Sequence, residues 1–155
     1  MTEEEVKALN DINAYGCHVL KILGDDQVPN FAYSIGIEAT SQQPDLIVVG
    51  LDLDAAHWII NEYNERIRQG EEFVQNKTYN EFLEGYPVVF SPMLKQYYRD
   101  YLGWGLWLYQ GEDFRMLQFI YPTASKQWPW EDGAPEEFKW HMRLLCETPR
   151  LPNQQ

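Results

Sequence analysis

The chain has 155 residues and a mass of 18.3 kDa, the size of one compact domain. Its 45% hydrophobic and 15% aromatic content supplies a core, and its 23% charged residues are too few for a chain held open by its own charge. Lys and Arg number 12 against 24 Asp and Glu, a net charge of -12, so a nucleic-acid backbone and an anionic membrane surface both repel it.

In chain order, Val6, Leu9 and Ile12 fall at three-residue spacing within Glu3 to Ala14, which predicts an amphipathic helix ended by Gly16. Cys17 to Leu23 reads as a strand, Gly24-Asp25-Asp26 as a turn before Pro29, and Phe31 to Ile37 as a second strand at hairpin distance. Leu46-Ile47-Val48-Val49 is a continuous apolar run, the mark of a strand covered on both faces. Asp52 or Asp54 caps a main helix whose Ala56, Ile59, Ile60, Tyr63 and Ile67 share one face until Gly70. Glu72 to Gln75 and Tyr86 to Phe90 read as strands, and Leu94 to Leu102 as a short helix ended by Gly103. Trp104 to Gln110, Gly111-Glu112-Asp113 and Phe114 to Tyr121 read as an aromatic-rich hairpin. The predicted class is α+β: a mixed, mostly antiparallel sheet, open or partly closed into a barrel, with one main central helix and shorter flanking helices. Residues 1–148 form the domain and residues 149–155 a flexible tail.

No run of about 18 apolar residues spans a bilayer, and the acidic start Met1-Thr2-Glu3-Glu4-Glu5 is the reverse of a secretory leader. The expected location is the cytoplasm, with Cys17 and Cys146 as free, buried thiols. His18, His57 and His141 have no metal-ligand spacing and read as structural, His57 being the most exposed because it lies off the apolar face of its helix. Neither a Gly-x-Ser-x-Gly elbow nor a phosphate-binding glycine loop is present, so no catalytic residue is assigned. Two local features stand out: Tyr33-Ser34-Ile35-Gly36, where polar residues and a glycine interrupt a strand, and the loop pair Trp128-Pro129-Trp130, a candidate exposed contact or pocket lid.

The charge is lopsided. Residues 1–65 carry twelve acids against Lys7 and Lys21, or -10, and the remaining ninety residues carry -2.

Several segments together resemble the bacterial family called domain of unknown function 4262. They are Tyr15-Gly16-Cys17-His18-Val19, Pro29 with Phe31 through Ile37, Gln43-Pro44-Asp45-Leu46-Ile47-Val48 with Gly50-Leu51, Tyr101-Leu102-Gly103-Trp104, Phe114 to Pro122, and Trp128 to Gly133. The resemblance covers roughly residues 10 to 135. Cys17, Gln43 and Thr123 stand where the family tends to have Trp, His and Asp. Small acidic proteins of such families are similar in kind to immunity proteins. The lopsided charge and the lack of catalytic motifs lead us to expect an acidic cytoplasmic binding protein, such as an immunity protein or antitoxin that neutralises a basic toxin, without a cofactor. Its contacts would be Asp25, Asp26, Asp52, Asp54, Glu62, Glu65, Trp128 and Trp130. The alternative expectation, an analogy of pattern, is a flavin-binding split barrel with Tyr33, Ser34 and Gly36 near the ligand and Trp128 or Trp130 covering it.

Overall fold

In a computed structural model of the protein, residues 1–151 are described. Helix α1 spans Glu3–Tyr15. Its first turn is closed reciprocally: the Glu5 amide donates to the Thr2 hydroxyl while the Thr2 amide donates to the Glu5 carboxylate, which satisfies two of the donors that a helix start leaves free. Gly16 ends the helix at φ 94°, where a residue without Cβ is unstrained.

Strands β1 (His18–Ile22) and β2 (Phe31–Ile35) form an antiparallel hairpin, and the Asp25 carboxylate accepts the Gln27 and Val28 amides in the turn between them. Short α2 (Ile37–Ser41) leads to β3 (Asp45–Val49). Then comes α3 (Leu53–Arg68), whose N-cap Asp52 accepts the amides of Asp54 and Ala55. The chain continues through β4 (Tyr79–Leu83), β5 (Tyr86–Pro92), a 3-10 turn at Lys95–Tyr97, α4 (Tyr98–Tyr101), α5 (Gly103–Tyr109), β6 (Met116–Ile120) and α6 (Glu136–His141).

The six strands lie in the order β1-β2-β3-β6-β5-β4. All neighbours are antiparallel except β3 and β6, which run parallel in the middle. The sheet is open, with β1 and β4 as its edges, so the class is α+β and the partly closed barrel is not formed. Alternation along β3 divides two cores. Leu46 and Val48 pack toward the α3 side with Ile59, Ile60 and Tyr63. Ile47 and Val49 face the opposite side, with Tyr98, Leu102 and Phe114. A strand buried on both faces needs apolar residues at every position, which is why its sequence shows no alternation.

Two expectations are corrected. The segment Trp104 to Gln110 is not the first strand of a hairpin; Trp104 to Tyr109 lies in helix α5, with Gln110 as its cap, and Trp104, Trp107 and Leu108 sit at helical spacing and pack against the second core. Glu72 to Gln75 is loop, and the strand of that region is β4. Helices α2 and α6 were not anticipated. Within the expected tail, Pro149 is buried, the Arg150 amide donates to Asn76 Oδ1 at 2.7 Å and Leu151 packs on the core; residues 152–155 lie outside the described residues. Cys17 and Cys146 are both free and buried, and burial pushes each thiol up to about 12. Among the described residues no helix is long and apolar enough to cross a membrane.

Candidate functional site

The end of α1, the edge strand β1 and the outer side of α3 enclose a cleft of about 520 Å³, within the roughly 300–1,000 Å³ range of small-molecule sites. From α1 come Lys7, Asp11 and Tyr15; from β1, His18; from α3, His57, Asn64, Glu65 and Arg68. Asp11 Oδ2 lies 2.7 Å from His18 Nδ1 and 3.0 Å from Lys7 Nζ. Partial burial opposes ionisation of Asp11, but the hydrogen bonds from Lys7 and His18 outweigh it and hold its pKa below the usual value. An ionised carboxylate only accepts, so His18 Nδ1 carries the hydrogen and Nε2 is left for other partners. His57 is half-buried, and burial together with the nearby Lys21 charge lowers its pKa. The most exposed histidine is instead His141, on the opposite end of the sheet.

Tyr15 closes the inner wall of this cleft through its backbone. Its carbonyl accepts from both Asn64 Nδ2 (2.9 Å) and Arg68 Nη1 (2.6 Å), so two side chains of α3 cap the C-terminus of α1. Asn64 is only 5% exposed and its Oδ1 has no hydrogen-bond partner.

Tyr33, Ser34 and Gly36 do not line this cleft; all three are buried. Their polar groups belong to an internal network centred on Asp45, which is fully buried. Asp45 Oδ1 accepts from Ser34 Oγ (2.8 Å) and the Ile37 amide (2.9 Å), and Oδ2 accepts from Tyr109 Oη (2.6 Å) and the Glu38 amide (3.3 Å). The Gly36 amide donates to Tyr109 Oη, and Tyr33 Oη accepts the Trp104 amide. Desolvation overrides these four donors and raises the Asp45 carboxyl to about 6. Gly36, at φ 106°, lets Ile12 of α1 approach: a Cβ there would lie 2.7 Å from Ile12 Cγ1.

The acidic residues singled out in the sequence fall into two groups. Asp25 and Asp52 line a second, smaller depression with His141 at the β1–β2 turn, and Asp26 is exposed beside them. Asp54, Glu62 and Glu65 lie along the outer side of α3, with Lys21 Nζ 3.6 Å from Asp54. Two of the twelve N-terminal acids are withdrawn from any surface role, Asp45 by burial and Glu38 by the Arg115 guanidinium, which holds its pKa low. The tryptophan pair is corrected too. Trp128 is 8% exposed and stacks on half-buried Trp130 with centroids 5.0 Å apart, both packed on the core beside α3, so the pair offers no exposed anchor. The exposed tryptophan is Trp58, at 56%.

Sequence reasoning missed Trp58, Asp11, Asn64 and Arg68. A signal existed for Trp58, a large aromatic four residues from both Asp54 and Glu62 on the polar side of an amphipathic helix. None existed for Asn64, whose importance depends on where α1 ends in space.

A six-stranded open sheet with helices on both faces and a polar cleft at one edge defines a small α+β protein with a single mixed sheet. The chain belongs to the family described as domain of unknown function (DUF4262), whose model matches residues 11–135. No curated protein and no solved structure matches it. The family segment contains Asp11, His18 and all of α3, and hence most of the cleft.

Proposed function

We propose that the protein is an acidic binding protein that captures a basic protein partner on the outer face of α3. At 100° per residue, Asp54, Trp58, Asn61, Glu62 and Glu65 fall within one stripe about 100° wide. The observation that carries the reading is Trp58, 56% exposed in the middle of that stripe. An aromatic ringed by like-charged acids has no stabilising role in the isolated chain, whereas Trp is the side chain most often found as a binding anchor. The acids supply steering: opposite charge raises association rates by about 10–10³-fold at low salt. Asp25, Asp26 and Asp52 extend the same sign of charge past the N-terminus of the helix. Such a protein neutralises its partner by covering it, as an immunity protein or antitoxin covers a toxin.

The test is affinity capture from the source cells with wild type, Trp58→Ala and the double reversal Asp54→Lys/Glu62→Lys. Wild type retains a basic protein at low salt and releases it as salt rises past about 0.3 M. Both variants lose it while staying folded: Trp58→Ala lies within about 0.5 kcal/mol of wild type, and the double reversal, which removes the Lys21–Asp54 pair and an acid from the first turn of α3, costs about 1–2 kcal/mol. Recovery of no basic protein, or equal recovery by all three, refutes the reading.

A further inference from the structure

We propose that the open edge of β1, at the floor of the cleft between α1 and α3, takes an extended basic segment of a protein partner as an added strand of the sheet. This rests on the reading of the protein as a binder of a basic partner and specifies the form in which that partner docks. The register opposes Phe31 and Val49, hence Asn30 and Gly50, and the Gly50 amide donates to the Asn30 carbonyl at 2.7 Å. Backbone groups of successive strand residues turn to opposite sides, so Asn30 and Ala32 face β3 while Phe31, Tyr33 and Ile35 face β1. Their partners Ile22, Leu20 and His18 spend both backbone groups on β2. Val19 and Lys21 therefore turn their N–H and C=O groups outward, and among the described residues these groups have no backbone partner.

The two edges of the sheet differ. β4 is blunted, because its register with β5 slips between Tyr79 and Leu83, whereas β1 keeps an unbroken register with β2 from His18 to Ile22. Helix α1 lies over one face of the β1–β2 hairpin, its Ala8 and Ile12 packed with Tyr33 and Ile35. Helix α3 lies over the other, its Ile59 and Tyr63 packed with Ala32 and Val19. Neither helix covers the edge: Cys17, His18 and Val19 line the cleft that opens along it, and Lys21 is exposed. A lysine on an edge strand ordinarily discourages pairing, but Lys21 Nζ is drawn aside to Asp54 of α3 at 3.6 Å. Residues of an added strand opposite Val19 and Lys21 put their side chains on the α3 side, beside Asp54 and Glu65. The charge of the walls selects the occupant. Helix α1, β1 and all but the last turn of α3 lie within residues 1–65, which carry -10, so the segment drawn to them is basic. A strand edge as floor selects extended backbone.

The experiment titrates the full chain with a blocked peptide of alternating lysine and valine, about seven residues long, and with the same peptide N-methylated along its backbone or carrying glutamate for lysine. The lysine peptide saturates the protein below about 1 mM at low salt, and both analogues bind at least about tenfold more weakly. Hydrogen exchange of the Val19 and Lys21 amides slows in the bound chain, while that of Leu20, already in the ladder, changes little. Lys21→Pro removes one outward N–H at an edge position where proline is tolerated and weakens binding at least about tenfold, whereas Lys21→Ala, which keeps that N–H, does not weaken it. No saturation, equal binding of the N-methylated peptide, wild-type affinity in a folded Lys21→Pro variant, or binding without protection of Val19 and Lys21 overturns the proposal. The exchange measurement needs no variant, so the test remains decisive if Lys21→Pro loosens β1. Trp58-dependent capture of a basic protein that leaves the Val19 and Lys21 amides unprotected would overturn this docking mode and leave the basic-partner reading intact.

Discussion

Asp45 joins β3, the start of α2 and α5 through one side chain. Replacing it with Ala orphans the Ser34 and Tyr109 hydroxyls and the Ile37 amide in the interior, which should cost about 3 kcal/mol or more. Its pH signature is distinct. The native carboxyl is raised from 3.8 to about 6 by burial, so between those values the native chain holds more protons than the unfolded one. The contribution of Asp45 is therefore full below about pH 4 and is lost as pH rises through about 6. Urea unfolding of wild type and Asp45→Asn at roughly pH 4.5 to 6.5 checks this: the Asn variant, which cannot ionise, loses the downward slope. Identical slopes would show that Asp45 does not titrate in that window. The sequence drew attention to Tyr33-Ser34-Ile35-Gly36, whereas Asp45 stood out there only as part of the segment Gln43 to Val48 that carries the family resemblance and as one of the twelve N-terminal acids. Nothing local distinguishes it, because Tyr109, its closest partner, is 64 residues away.

Two glycines govern how elements dock, and their neighbours predict unequal costs. A Cβ on Gly36 meets the flexible Ile12 side chain at 2.7 Å, whereas a Cβ on Gly50 lies 2.1 Å from the carbonyl oxygen of His141. Both have positive φ, 106° and 91°. Gly36→Ala should cost about 1–3 kcal/mol, since Ile12 can turn aside. Gly50→Ala should cost more, because backbone must move, and α6 should be displaced from the end of β3. Thermal unfolding ranks the two, and amide exchange in Glu136–His141 should accelerate only for Gly50→Ala. The elements themselves were unevenly legible. Helix α3 was plain from its apolar spacing and its Asp52 cap, and β3 from its unbroken apolar run. Helix α5 reads as a strand from the sequence because its Trp and Tyr residues favour strands by composition, while the i, i+3, i+4 spacing of Trp104, Trp107 and Leu108 matters only once a second core exists on that side of the sheet.

At the level of the whole molecule, the chain beyond the family segment is part of the fold. Met142, Leu145 and Cys146 are buried, and Cys146 pairs with Met93 as an isolated bridge. The Leu145 amide donates to Gln118 Oε1, and Gln118 Nε2 donates to the Arg143 carbonyl, at 2.7 Å each. Removing residues 136–155 uncovers the sheet and leaves the fully buried Gln118 amide with neither partner. A chain ending at Pro135 should therefore lose its cooperative thermal transition and its near-ultraviolet circular dichroism. A sharp transition within a few degrees of the full chain would show that the segment is dispensable.

The sequence by itself determined the size, the α+β class, the main helix, the doubly covered strand and the concentration of negative charge in residues 1–65. These are properties of composition and short-range period, which local sterics and apolar burial translate directly into helices and strands. Tertiary structure alone decided which acids reach the surface, that Trp58 rather than Trp128 is the exposed aromatic, and that Asn64, Glu65 and Arg68 meet the end of α1 around a cleft. Those outcomes depend on which residues distant in sequence come to share a volume. Burial, partner geometry and local dielectric, which set the chemistry of a side chain, exist only after the chain has packed.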